Sequence, residues 1–226
     1  MREKGSKPMN QEGRLTVGIL IFDDVEVLDF CGPFEVFAAA SSVSEPGEHR
    51  QLFQVVTVAE EDRIITCSGG LLVKPGATIE NHPPLDILVV PGGYVDRALS
   101  HPHLLEWIGR QDQQTRLTTS VCTGAYLLAE CGLLNQHRAT THWGSIEHMR
   151  QRYPAVEMLA DTRIVDEGHI ITSAGVSAGI DMSLHVVSRL FGEQVAAQTA
   201  RYMEYDERSW QKLIPSEWRS VTFSWY

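Results

Sequence analysis

The chain has 226 residues, 43% of them hydrophobic and 21% charged, enough apolar material for one sizeable core and too much for a disordered or fibrous chain. Nineteen basic residues against 29 acidic ones leave a formal net charge of -10 at pH 7, so the chain lacks the basic footprint that a grip on nucleic acid needs. No apolar run reaches the ~18 residues that span a bilayer.

No nucleic-acid partner and no membrane partner is therefore expected of this chain alone. The polar segment 1–14 has no apolar stretch of the signal-peptide kind, which points to a cytoplasmic location. Cys31, Cys67, Cys122 and Cys131 are widely spaced with no Cys-x-x-Cys pair, so neither a zinc knuckle nor a dithiol redox motif is expected, and free thiols are. The histidines show no metal-ligand spacing, and no metal site is expected.

Residues 1–14 read as a flexible leader, with order beginning near Leu15. Leu15–Phe22 is a short continuous apolar run ended by Asp23-Asp24, the pattern of a strand buried on both faces of a parallel sheet. Leu28–Ala40 has helical periodicity, with Asp29 just before the helix and Pro33 in a first turn. Phe53–Ala59 predicts a strand, and Ile64–Cys67 with Leu71–Val73 predict a hairpin at a sheet edge around Ser68-Gly69-Gly70. Asp86–Val90 is a further core strand, followed by the turn Pro91-Gly92-Gly93.

His103–Arg110 reads as a short helix. Leu117–Val121 reads as a strand running straight through Cys122-Thr123-Gly124 into the helix Ala125–Glu130. A turn at Asn135–Arg138, the segment Ala139–Trp143 and a helix over Ser145–Arg152 come next. Arg163–Asp166 and His169–Ser173 bracket a Glu167-Gly168 turn as a second hairpin. Gly175–Gly179 leads into a helix over Ile180–Phe191, ended by Gly192, and Glu193–Tyr205 forms one more.

The expectation is one α/β domain over 15–205: three layers, an open and mainly parallel sheet with helices on both faces. Residues 206–226 hold three of the five tryptophans, an aromatic extension expected to pack on the domain or on a partner.

The chemistry concentrates at Cys122. A residue on a tight turn between a core strand and a helix stands at the sheet edge where open α/β folds bind ligands. The N-terminus of the following helix is expected to favour the thiolate and lower the thiol pKa. Ser120, Thr123 and Gly124 are small enough to keep the sulfur accessible. The Thr123 N–H and the Gly93 N–H on the neighbouring turn, beside Gly92, are candidate oxyanion donors. Gly92 and Asp181 are candidates to line the pocket or to support the residues that do, and Asp29 and Asp181 both also suit helix caps.

LDFCGPFEVF, VVPGG, SVCTGAYLLAECGLL, ATTHW and SAGVSAGIDMSLHVV occur in the order typical of the ThiJ/PfpI superfamily, and the resemblance runs from about Leu15 to Tyr205. It implies the flavodoxin-like, class I glutamine amidotransferase-like fold with a nucleophile elbow. Leu28-Asp29 combined with Cys122-Thr123-Gly124 and Thr140-Thr141-His142-Trp143 resembles the isonitrile hydratases, and equally the amidase-like sensor domains of AraC-type regulators.

The resemblance implies that Cys122 is the nucleophile and Asp29 the acid beside it, with Thr123 and Gly93 supplying backbone donors. His142 falls where many relatives keep a histidine near the cysteine, and Trp143 is an apolar residue of the kind that would wall a substrate pocket. The reaction expected is addition of water to an isonitrile to give an N-substituted formamide, with a small-molecule substrate, no cofactor and a homodimer. A ligand-sensing domain and a glyoxalase-like thiol activity stay open beside it.

Overall fold

The structure, a computed structural model, describes residues 13–45 and 48–205. The expected aromatic extension, and the leader apart from Gly13 and Arg14, lie outside the described residues. In chain order the elements are β1 (Leu15–Leu20), α1 (Val27–Ala39), β2 (Ser41–Glu45), β3 (Glu48–Gln51), β4 (Phe53–Ala59), β5 (Ile65–Thr66), β6 (Leu72–Val73) and β7 (Ala77–Thr78). They continue with β8 (Ile87–Val90), α2 (Asp96–Leu99), α3 (Pro102–Gln114), β9 (Leu117–Val121), α4 (Gly124–Glu130), β10 (Arg138–Ala139) and α5 (Ile146–Arg152). The last are β11 (Glu157–Met158), β12 (Ile164–Asp166), β13 (Ile170–Ser173), α6 (Ala178–Phe191) and α7 (Glu193–Tyr202).

Seven strands make the central sheet, in the order β12-β13-β9-β8-β1-β4-β7. Every neighbouring pair is parallel except the antiparallel β12–β13 edge. Helices α1, α6 and α7 pack together on one face, and α2, α3 and α4 on the other. This is the three-layer, flavodoxin-like arrangement expected from the alternation of strands and helices. β1 and β8 are buried along their whole length because helices cover both faces, which is why they read as unbroken apolar runs.

Three local expectations need correction. The Ile64–Cys67 and Leu71–Val73 hairpin exists as β5 and β6 but forms its own two-stranded sheet; β7 and β12 take the edges of the main one. Helix α1 begins at Val27, so Pro33 lies inside the helix rather than in its first turn. Pro33 is buried there, and α1 packs against α6 at Gly32, where an added Cβ would come within 2.9 Å of Ile180. The antiparallel pair β2–β3 was not expected at all.

Asp86 ties the near ends of three strands. Its Oδ2 accepts the Thr16 N–H at 2.9 Å and its Oδ1 accepts Arg116 Nε at 3.1 Å, while the residue is only 5% exposed. A buried carboxylate is tolerated only when bonds of this kind replace its water. Asp86→Ala removes both partners and is expected to destabilise the domain by about 3 kcal/mol, measured by urea unfolding.

Candidate functional site

The turn after β9 places Cys122 with φ 56°, the left-handed region, in a residue that is not glycine. Its N–H reaches the Ser173 and Ala174 carbonyls, each at 3.2 Å, and its carbonyl accepts the Thr141 hydroxyl at 2.7 Å. Those bonds oppose the strain of the turn. Gly124, opening α4, fits because a Cβ there would stand 2.1 Å from the Val90 carbonyl.

Asp29 arrives from the other side. The chain after β1 is stitched to the loop after β8: Val25 bridges Gly93, and the Glu26 N–H donates to the Gly92 carbonyl at 2.9 Å. Asp29 then falls in the first turn of α1, fully buried, with Oδ2 accepting the Gly92 N–H at 2.9 Å. Its Oδ1 is buried without a hydrogen bond of normal geometry. Asp29 is not the helix cap, a position held by Glu26. Gly92 is wedged between the two halves of the site: a Cβ on it would lie 2.5 Å from the Thr123 nitrogen and hydroxyl and 3.0 Å from Asp29 Oδ2.

The expected lowering of the cysteine pKa does not occur. Burial, and then the nearby Asp29, push the Cys122 thiol up to about 12, outweighing the Thr123 and Val176 N–H groups that favour the thiolate. α4 has only seven residues, and its dipole acts on a residue 6% exposed. Burial likewise raises the Asp29 carboxyl to about 7, helped by the Glu26 charge and opposed by the Gly92 N–H, the Cys122 thiol and the Val176 N–H. The pocket admits one negative charge readily and resists two.

Other expected site residues differ from their sequence reading. The Gly93 N–H is committed to the Thr123 hydroxyl at 2.9 Å, and that hydroxyl donates to the Gly93 carbonyl at 2.9 Å, so Gly93 joins the two loops instead of standing open as an oxyanion donor. The Thr123 N–H does face the sulfur. His142 Nδ1 accepts the Gly144 N–H at 3.2 Å, and its ring packs on Gly175, where a Cβ would come within 2.4 Å of it. Trp143 tilts over the His142 ring with centroids 5.5 Å apart and is 83% exposed among the described residues. Asp181 is not the cap of α6, a position held by Ser177: fully buried, it pairs with Arg163 and accepts the Tyr205 hydroxyl at 3.0 Å.

One participant was missed. Val176 has φ 50°, a strained conformation for a β-branched residue, and its N–H faces both Cys122 and Asp29. Nothing in the sequence marks a valine for that conformation.

Cys31, Cys67 and Cys131 are free thiols, as is Cys122. Among the described residues no three His, Cys, Asp or Glu side chains are grouped to hold a metal, and no helix is long and apolar enough to cross a membrane. A separate cavity of about 100 Å³ lies beyond the ends of β1 and β4. Asp23 there accepts Arg63 at 2.6 Å and Arg97 at 3.3 Å, and His101 meets Glu60 at 2.7 Å, so its charged groups answer one another.

The DJ-1/PfpI family model matches residues 15–189. The chain belongs to this family. It is 35% identical over 192 residues to an isonitrile hydratase of Pseudomonas putida, covering 84% of this chain and 78% of that one. It is 28% identical over 203 residues to the HTH-type transcriptional regulator GbdR of Pseudomonas aeruginosa, covering 89% of this chain but 53% of the regulator. The chain thus spans about half of that regulator's length. Among solved structures, a ThiJ/PfpI family protein from Pseudomonas syringae superposes with TM-score 0.76 and 26% identity, over 97% of this chain and 90% of that one. Drosophila melanogaster DJ-1beta, at 16% identity and TM-score 0.71 over 85% of this chain and 98% of its own, shares the fold.

Two outcomes test this electrostatic picture. Alkylation of Cys122 by iodoacetamide, read by mass spectrometry of its peptide, is expected to rise through a first, small step with its midpoint near 7, where the pair gives up one proton and a minority thiolate–carboxylic acid form appears, and to rise again only in the strongly alkaline range, because the thiol beside the ionised Asp29 is pushed up to about 12. The second concerns stability. With Asp29 raised to about 7 in the fold against ~3.9 unfolded, the native state holds a proton that the unfolded state has lost. Stability therefore falls as pH rises from about 4 to 7 and stays lower above. Asp29→Asn removes that penalty, so denaturant unfolding at pH 8 should show the variant more stable by up to about 4 kcal/mol, with the gap narrowing toward pH 4.

Proposed function

We propose that the chain is a cysteine-dependent hydratase that adds water to an isonitrile to give an N-substituted formamide. The observation that carries this reading is the juxtaposition of Cys122 with a buried carboxyl raised to about 7, the value that suits a group taking and returning a proton near neutrality. The 35% identity to an isonitrile hydratase over 84% of the chain supports the choice of substrate.

In the proposed reaction the Cys122 sulfur bonds to the terminal carbon of the isonitrile as its thiol proton passes to the Asp29 carboxylate. Asp29 then delivers that proton to the same carbon, leaving a thioimidate, S–CH=N–R. Water adds across the C=N bond, the nitrogen gaining hydrogen and the carbon hydroxyl. The C–S bond breaks with return of a proton to sulfur, releasing R–NH–CHO and the free thiol. Two modest additions replace one difficult one, and every atom added comes from water. The Thr123 N–H beside the sulfur is the donor assigned to the developing charge. No cofactor takes part in this scheme.

The reading also proposes a homodimer acting on a small molecule, with gel filtration as its check. The second reading is a sensor that holds a ligand at the same site, favoured by the 28% identity to a transcriptional regulator over 89% of the chain.

Incubation with cyclohexyl isocyanide, followed by infrared loss of the isonitrile stretch and appearance of the formamide, should show turnover in the native protein. Turnover should fall by at least ~10³-fold in Cys122→Ser, the size of effect expected when a covalent nucleophile is removed. Saturable binding without formamide would favour the sensor.

A further inference from the structure

The turn Ala174–Ser177 carries the strained Val176 and bonds to the Cys122 backbone, yet it belongs to neither the elbow nor α1. Something must hold it in that conformation, because a β-branched residue left to itself leaves the left-handed region.

Arg163, at the end of the loop before β12, touches the turn at both ends. Its carbonyl accepts the Ala174 N–H at 2.9 Å, and its Nη2 donates to the Ser177 hydroxyl at 3.2 Å. The same guanidinium pairs with Asp181, one turn into α6 and fully buried. Asp181 Oδ1 in turn accepts the Tyr205 hydroxyl at 3.0 Å. On the other side the His142 ring closes on Gly175.

We propose that Arg163, set by Asp181 and Tyr205, is a positioning residue that clamps the Ala174–Ser177 turn against the His142 ring and so keeps the Val176 N–H on the Cys122–Asp29 pair. The role needs arginine. One planar fork spans Asp181 and Ser177 at once, whereas a lysine ammonium can keep the charge pair but not the bridge. Asp181 and His142 both act through the turn. The inference rests on the reading of Cys122 and Asp29 as a working pair, but not on which substrate they use.

The test is the pH dependence of Cys122 alkylation by iodoacetamide, with the Cys131 peptide as internal control. Besides Val176, the groups facing the pair are Glu26, the Gly92 and Thr123 N–H groups and the Thr123 hydroxyl; the variants leave all of them in place. Arg163→Lys and Ser177→Ala are each expected to move the Cys122 midpoint upward by about one pH unit, as loss of one hydrogen bond to an anion implies, while Cys131 alkylation stays as in the native protein. Tyr205→Phe should produce a smaller shift in the same direction.

Val176→Gly accepts the left-handed turn without strain, so the clamp becomes less necessary. Adding Arg163→Lys to Val176→Gly is expected to shift the midpoint less than Arg163→Lys does alone, a coupling that general loosening does not produce. Unchanged midpoints in Arg163→Lys and Ser177→Ala, or parallel changes at Cys122 and Cys131, would overturn the clamp. If Arg163→Lys fails to fold, Ser177→Ala and Tyr205→Phe decide alone. A shifted midpoint in a protein that consumes no isonitrile keeps the clamp and removes the hydratase reading.

Discussion

Two acidic groups share a volume that water barely enters, and much of the architecture around them serves to bring them there. The Asp29 carboxyl and the Cys122 thiol come from opposite sides of β8, one on the helix after β1 and one on the turn after β9. A parallel sheet sets its strands about 5 Å apart, so groups leaving the carboxyl ends of β1 and β9 meet over β8 only if the loops there are drawn in. The Val25–Gly93 bridge, the Glu26–Gly92 bond and the reciprocal Thr123–Gly93 bonds do this. Gly92 is the narrow point, where the lack of a side chain lets Asp29 and Thr123 approach from either side.

Burial reshapes the acid–base character of the pair. Exposed, a cysteine at a helix start would be driven toward thiolate by the local dipole. Enclosed beside a carboxyl, both groups prefer their protons, and the pair gives up the first near neutrality. The charge on the sulfur is then governed by the proton that the pair retains rather than by a standing thiolate. The cost is stability above neutral pH.

Strain is distributed in the same way. Cys122 and Val176 both sit in the left-handed region without being glycine, and their turns bond to each other through the Cys122 N–H and the Ser173 and Ala174 carbonyls. Thr141 holds one turn by the Cys122 carbonyl. Arg163 and Asp181 hold the other from behind. Thus the ion pair of Arg163 with the buried Asp181 of α6, remote from the sulfur in sequence, belongs to the same mechanical unit as the elbow.

The strand runs Leu15–Phe22 and Asp86–Val90, the elbow Cys122-Thr123-Gly124 and the layered parallel fold were legible in the chain, because each is set by local pattern: unbroken apolar runs for doubly covered strands, small residues for a tight turn. The membership of Asp29 and Cys122 in one motif set was legible too. Tertiary structure alone decided which N–H groups remain near the sulfur, that Gly93 spends its donor on Thr123, that Trp143 faces outward and that Asp181 is consumed by Arg163. Direction of a bond and depth of burial depend on what folds over a residue from elsewhere. For the same reason the sign of the Cys122 pKa shift could not be read from its own helix: the deciding desolvation and the Asp29 charge come from the packing of segments about ninety residues apart.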